Sequence, residues 1–198
     1  MDTLDEVIGL AMATLAGGGT LLYPTDTIWG IGCDATNPAA VEKVYSIKQR
    51  DHTKSMLILC SDIAMAQHYA DCLDERVVAL LTEPSRPTTV IVPAQEGTLA
   101  ANLVASNGTI GVRIPDMAFC QRLLNAFGKP IVSTSANFSG MPSPSTSSEI
   151  DPRLMTSVDY KIPPEFGMNS GGKSSRIVKL SPDGVLQVLR DPWSSDGR

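Results

Sequence analysis

The sequence predicts a single α/β domain spanning residues 1–198, a twisted mixed sheet flanked by helices. Three observations predict it. Strand-like and helix-like stretches interleave along the chain. Several strands are nonetheless neighbours in sequence, "TTVIVPA" before "TIGVRIP" and "SRIVKL" before "GVLQVLR", which favours a mixed sheet over a doubly wound parallel one. The chain has 198 residues, 42% hydrophobic and 19% charged, an ordinary globular composition with enough length for one full-sized core. No repeat or composition break marks a second domain.

The elements follow in order. "DTLDEVIGLAMATLAGGG" reads as a helix, because Leu4, Val7, Ile8, Ala11 and Leu15 recur at helical spacing and Gly17 to Gly19 stop it. "TLLYP" is a short strand. "NPAAVEKVYSIKQR" is a helix with Asn37 as N-cap and Pro38 at the first helical position. "SMLILC" is a buried strand, and "SDIAMAQHYADCLDERVVALLTE" supplies one or two helices. "TTVIVPA" and "TIGVRIP" are strands rich in β-branched residues. "DMAFCQRLLNAFG" is a capped amphipathic helix ending at Gly128, followed by the strand "PIVSTSAN". Residues 139–152 are rich in Ser and Pro and read as a long loop with one helical turn. "SRIVKL" and "GVLQVLR" close the chain as a hairpin joined by "SPDG".

The apolar runs "VVALL" and "MLILC" are too short to span a bilayer. The N-terminus "MDTLDEVIGL" is acidic and lacks the basic region of a signal peptide. The expected location is cytoplasmic, with no membrane partner. Cys33, Cys60, Cys72 and Cys120 form no C-x-x-C pair and read as buried reduced thiols. His52 and His68 are too few and too separate for a metal cluster, so no metal site is expected. The net charge of −5 argues against broad nonspecific nucleic-acid binding.

Two motifs mislead. "GMNSGGKSS" matches the phosphate-loop pattern through Gly167, Gly172, Lys173 and Ser174. A working phosphate loop follows a strand and opens a helix. Here "KIPPEF" precedes it, with two prolines, and the strand-like "SRIVKL" follows. "GIGCDA" fits the dinucleotide pattern, with Asp51 at a plausible distance for a ribose contact. Yet the helix starts after the motif, at Asn37 and Pro38. Both nucleotide readings are rejected.

A different constellation remains. "YPTDTIWGIGCDA" puts Thr25, Asp26 and Thr27 at a strand exit, and the two threonines share a face if the backbone is extended. "SIKQR" puts Lys48 and Arg50 at a helix end. They are either solvated capping charges or a clamp for a polyphosphate. Arg113 lies among apolar neighbours in "TIGVRIP", where a cation needs an anion. That anion is either an internal carboxylate or one on a substrate. "PIVSTSAN" places Ser133, Ser135 and Asn137 at alternating positions, suited to purine-edge, ribose or phosphate recognition. Neither serine has the G-x-S-x-G context or a well-placed histidine for nucleophilic work.

With "YPTDTIWGIGCDA", "SIKQR", "TIGVRIPD", "STSANFSGMPSP" and the closing "VLR" together, the chain resembles the YrdC-like family of threonylcarbamoyl-AMP synthases. The likeness runs from about Leu21 to Arg190 in the family's order. The resemblance implies a nucleotidyltransferase that makes threonylcarbamoyl-AMP and pyrophosphate from L-threonine, bicarbonate and ATP for the t6A modification of tRNA. It implies that Thr27, Arg113, Ser133 and Ser175 hold threonine. Arg50, Lys54, Thr109, Ser135, Ser143 and Arg190 would hold ATP, with Lys48 and Asn137 supporting phosphates and nucleotide. No protein nucleophile is implied; Lys48 and Arg50 position and neutralise charge, together with Mg2+ carried by ATP. Implied partners are downstream t6A transferase proteins and weakly bound tRNA or double-stranded RNA. Departures from the family pattern stand at Asp51 and Ser55, where prolines are usual, at Ser85–Pro87 and at Arg176. Two further readings share the fold. One is an RNA-binding or ribosome-maturation module without synthase activity. The other is a carbamoyl transferase of the hydrogenase-maturation type, which normally carries extra domains.

Overall fold

A computed structural model describes residues 3–71, 73–167, 171–181 and 185–194. Cys72 and most of the "SPDG" turn lie outside the described residues. The chain runs α1 (Leu4–Ala16), β1 (Leu21–Tyr23), β2 (Gly30–Gly32), α2 (Pro38–Lys48), β3 (Leu57–Leu59), α3 (Ile63–Tyr69) and α4 (Glu75–Leu81). It continues through β4 (Thr88–Pro93), β5 (Thr109–Arg113), α5 (Ala118–Phe127), β6 (Ile131–Ser135), α6 (Pro152–Ser157), β7 (Tyr160–Lys161), β8 (Arg176–Leu180) and β9 (Leu186–Arg190).

Local chemistry accounts for most boundaries. Thr3 and Glu6 form a capping box at α1: the Glu6 N–H donates to Thr3 Oγ1 at 3.3 Å and the Thr3 N–H to Glu6 Oε2 at 2.7 Å. Asn37 Oδ1 accepts from the N–H groups of Ala39 and Ala40, and Pro38 opens α2 as expected. Gly128, with φ of 72°, closes α5. The expected side-chain cap of α5 is absent. Met117 stands at the N-cap, and Asp116 gives its N–H to Asp26 Oδ2 at 3.3 Å.

Among the described residues the strands form a nine-stranded sheet in the order β7-β1-β2-β6-β3-β5-β4-β8-β9. It is mixed: β3–β5, β4–β8 and β1–β7 are parallel and the other pairs antiparallel. The closing hairpin forms as expected, but β8 also reaches back to pair with β4. Two strands went unread in the sequence. "GIG" is β2, inserted between β1 and β6. The two-residue β7 carries too little pattern to be seen. The glycine-rich stretch feeds β8 rather than a helix, as the sequence argument requires; Met168 to Ser170 lie outside the described residues.

Register decides what each face does. Val132, Ile58, Val112, Val90 and Val178 are register partners across β6, β3, β5, β4 and β8. All are fully buried, in one cluster with Val41 and Val44 of α2 and Val77 of α4. Burying each such side chain stabilises by about 1.5–3 kcal/mol. One position along each strand the side chains turn to the other face. There Leu59 and Ile131 pack with Leu21 and Tyr23 beneath α1 and α5. The neighbouring row on that face, Ser133, Leu57, Gly111 and Ile91, lines an open pocket.

Candidate active site

The pocket has a volume of about 230 Å³. Its floor is sheet, and its walls come from separate stretches of chain. The loop between β1 and β2 contributes Thr25 and Thr27, the turn after α2 contributes Arg50 and Ser55, and the loop after β6 contributes Ser143. The entry to β8 contributes Ser174 and Ser175, and the end of β9 contributes Arg190.

Arg113 is held from two sides. It is 3% exposed. Nη1 donates to Thr27 Oγ1 at 2.6 Å and Nη2 to Asp26 Oδ1 at 2.9 Å. Its Nε is buried without an acceptor among the described residues. Both readings of this arginine therefore meet in one place. It has an internal carboxylate, and it also lines the pocket. Thr27 is also linked to Thr25, Oγ1 to Oγ1, at 2.8 Å.

Arg190 reaches the pocket from β9, at the edge of the sheet. It donates to the Ser175 carbonyl from Nε at 3.2 Å and from Nη2 at 2.9 Å. Burial and, after it, the positive charge of Arg113 push its pKa down. Arg50 is also pushed down by burial. Burial penalises both guanidinium groups and Arg113 adds repulsion at Arg190, so an anion in the pocket would relieve the cost. Arg50 is held by its own loop, with Nε donating to Lys54 O at 2.7 Å and Nη2 to Ser55 O at 2.8 Å.

Of the residues expected to hold the two substrates, Thr27, Arg50, Thr109, Arg113, Ser133, Ser135, Ser143, Ser175 and Arg190 line the pocket. Lys48, Lys54 and Asn137 do not. Lys48 is 1% exposed and points beneath the site. Its Nζ donates to the Ser135 carbonyl, to Asn137 O at 2.6 Å and to Asn137 Oδ1 at 3.1 Å. Burial, with a smaller push from Arg50, brings its pKa down to about 7. Lys54 offers its backbone carbonyl rather than its exposed ammonium. Asn137 departs from the expected alternation because the strand ends at Ser135. Beyond it the Asn137 N–H turns back to Ser135 O at 2.9 Å, and Oδ1 accepts from Ser135 Oγ at 2.5 Å. Alternation holds only while the backbone stays extended.

Sequence reasoning missed Thr89, Ile91 and Ile177 as lining residues. Thr89 Oγ1 lies 2.8 Å from Ser175 Oγ. A signal existed in "TTVIVPA", where Thr89 and Ile91 share a face, but nothing in the sequence says which face meets the pocket. Asp26 was also passed over as a site residue. Lys173, the phosphate-loop lysine of the misleading motif, sits 5.3 Å over the ring of Trp193. Among the described residues no group of His, Cys, Asp and Glu could hold a metal ion, and no helix is long and apolar enough to cross a membrane.

The Sua5/YciO/YrdC family model, described as telomere recombination, matches residues 13–191. A protein of Stenotrophomonas maltophilia (strain K279a) named threonylcarbamoyl-AMP synthase is 37% identical over 169 residues, covering 83% of this chain and 88% of that one. A protein of the same name from Xanthomonas campestris pv. campestris (strain B100) is 32% identical over 91% of this chain and 95% of its own. Among solved structures, E. coli YciO superposes with a TM-score of 0.77 at 26% identity, over 96% of this chain and 91% of that one. P. abyssi Sua5 complexed with L-threonine superposes with a TM-score of 0.81 at 22% identity, which shows a shared fold. This chain spans 55% of the length of that protein.

Proposed function

The chain belongs to the Sua5/YciO/YrdC family, and from that premise we propose that it is a threonylcarbamoyl-AMP synthase, with L-threonine, bicarbonate and ATP as substrates. The observation that carries this reading is the convergence of Arg50, Arg113 and Arg190 on one hydroxyl-lined pocket. They come from three distant stretches of chain, and none of their side chains is a plausible nucleophile.

The reaction needs no covalent intermediate with the protein. The threonine amine takes up CO2 from bicarbonate and loses a proton, giving a carbamate and water. A carbamate oxygen attacks the α-phosphorus of ATP, and pyrophosphate leaves. Catalysis is then positioning and charge neutralisation. Arg113, with Thr27 beside it, receives the threonine carboxylate through its unspent N–H groups. Ser133 and Ser175, on opposite sides of the floor, flank the same amino acid. Arg50 and Arg190 meet the phosphates, with Thr109, Ser135 and Ser143 toward the nucleotide. Lys48 and Asn137 act one layer down, by holding the exit of β6. Mg2+ belongs to the ATP substrate. The described lining residues are hydroxyls, cations and apolar groups, so the ion's ligands would be phosphate oxygens and water.

The product is a mixed anhydride, which suits onward transfer to tRNA by downstream t6A transferase proteins. The RNA-binding reading needs a continuous basic face, whereas the site cations gather in the pocket of a chain of net charge −5. Incubation with ATP, bicarbonate and labelled threonine tests the proposal. Formation of the labelled adenylate with one pyrophosphate per product is expected. Equal pyrophosphate release without threonine removes the reading.

A further inference from the structure

Asp26 is a largely covered carboxylate to which the reaction above gives no task. Its side chain is 10% exposed and pairs with Arg113, itself 4% exposed in its side chain, at 2.9 Å. Asp26 is not among the residues lining the pocket, whereas Arg113 is. The carboxylate therefore braces the guanidinium from outside the pocket. The brace is itself fixed. Asp26 Oδ2 accepts the N–H of Asp116, and the Asp26 carbonyl accepts the N–H of Gly171 at 3.0 Å. The next carbonyl, of Thr27, accepts from Gly172 at 2.8 Å. One dipeptide thus ties the end of β5 to the glycine loop that leads to Ser175.

We propose that Asp26 is a positioning residue for the amino-acid substrate. It fixes the plane of the Arg113 guanidinium so that the remaining N–H groups face the substrate carboxylate. Thr27 alone holds only Nη1. A guanidinium anchored at one nitrogen can still rotate out of the plane that a bidentate carboxylate requires. The second anchor removes that freedom before the substrate arrives, and it also offsets the cost of burying the charge. The inference rests on the threonine reading of the site.

Steady-state kinetics test it in Asp26→Ala, Asp26→Asn, Arg113→Lys and the double variant Asp26→Ala/Arg113→Lys. In Asp26→Ala the KM for threonine is expected to rise about 10- to 100-fold, the loss of one charged hydrogen bond, with kcat and the KM for ATP near wild type. Asp26→Asn keeps an acceptor without the charge and should fall between. The double variant should be no worse than Arg113→Lys alone, because Asp26 acts only through that arginine. A fall in kcat with both KM values unchanged would mean fewer folded molecules and overturn the proposal, as would additive effects in the double variant. If Asp26→Ala does not fold, Asp26→Asn decides by the same criteria. Wild-type protein that makes the adenylate beside an Asp26→Asn protein with unchanged threonine KM sinks this inference alone. Wild-type protein that neither binds L-threonine in calorimetry nor makes product sinks the threonine reading and this inference with it.

Discussion

Lys48 and Arg50 stand two residues apart and do different work. Gln49 between them ends α2 in the left-handed region, with φ of 50°. That turn sends Lys48 under the sheet and Arg50 to the pocket wall. Replacing Lys48 with Met keeps most of the stem but removes the ammonium that the carbonyls of Ser135 and Asn137 share, leaving Ser135 O with the Asn137 N–H alone. A loss of about 1–3 kcal/mol is expected in urea unfolding at pH 7. The pH dependence has a definite sign. The folded pKa of about 7 lies below the ordinary 10.5, so the unfolded chain binds more protons between those values. Wild-type stability should therefore gain on Lys48→Met as pH rises from about 7 toward 10.5. A gap that narrowed over that window would contradict this. At the pocket itself, Arg50→Ala should weaken ATP binding by roughly 1.5–3 kcal/mol, as for a charged hydrogen bond. Lys173→Ala, which removes the contact of an exposed ammonium with Trp193, should cost less than about 1 kcal/mol. Calorimetry reversing that order would return the phosphate-loop reading to contention.

Single elements show why the misleading motifs mislead. The glycines of "GIGCDA" serve a strand, not a turn into a helix. An added Cβ at Gly32 would lie 2.0 Å from the Val132 carbonyl and 2.9 Å from the Tyr23 ring. At Gly30 the closest approach would be 3.3 Å. Gly32→Ala is therefore expected to cost several times more stability than Gly30→Ala, since a Cβ 2.0 Å from a β6 carbonyl forces the strands apart whereas 3.3 Å asks for a shift of only a few tenths of an ångström. Thermal melting of the two variants checks the order; equal losses would mean that β2 does not pack as described. The exposed edge strand β9 gives the opposite case. Val188 is half exposed, and Val188→Lys should change unfolding free energy by less than about 0.5 kcal/mol.

The whole molecule places one pocket across strands drawn from nearly the full chain. Thr27 and Ser175 face the same space from opposite ends of the sequence. A ligand there braces both halves of the sheet, so ligand binding and global unfolding should be coupled. Threonine at 100 times its Kd should raise the unfolding free energy by about 2.7 kcal/mol in a single transition. Two transitions, with only one responding to threonine, would show that the halves unfold separately.

Much of this was legible in the residues. Helical spacing and caps marked α1 and α2, since those signals are local and energetic on their own. β-branched runs marked β4 and β5, and the order of short motifs brought the site arginines into view. The tertiary structure decided three things that no local pattern holds. It inserted β2 between β1 and β6, because strand pairing is chosen by partners far along the chain. It sent the Lys48 ammonium to backbone carbonyls, because burial on all sides leaves a cation only the acceptors it can reach. And it set Asp26 behind Arg113, because two charges distant in sequence share one dry corner only after the sheet has brought their strand ends together.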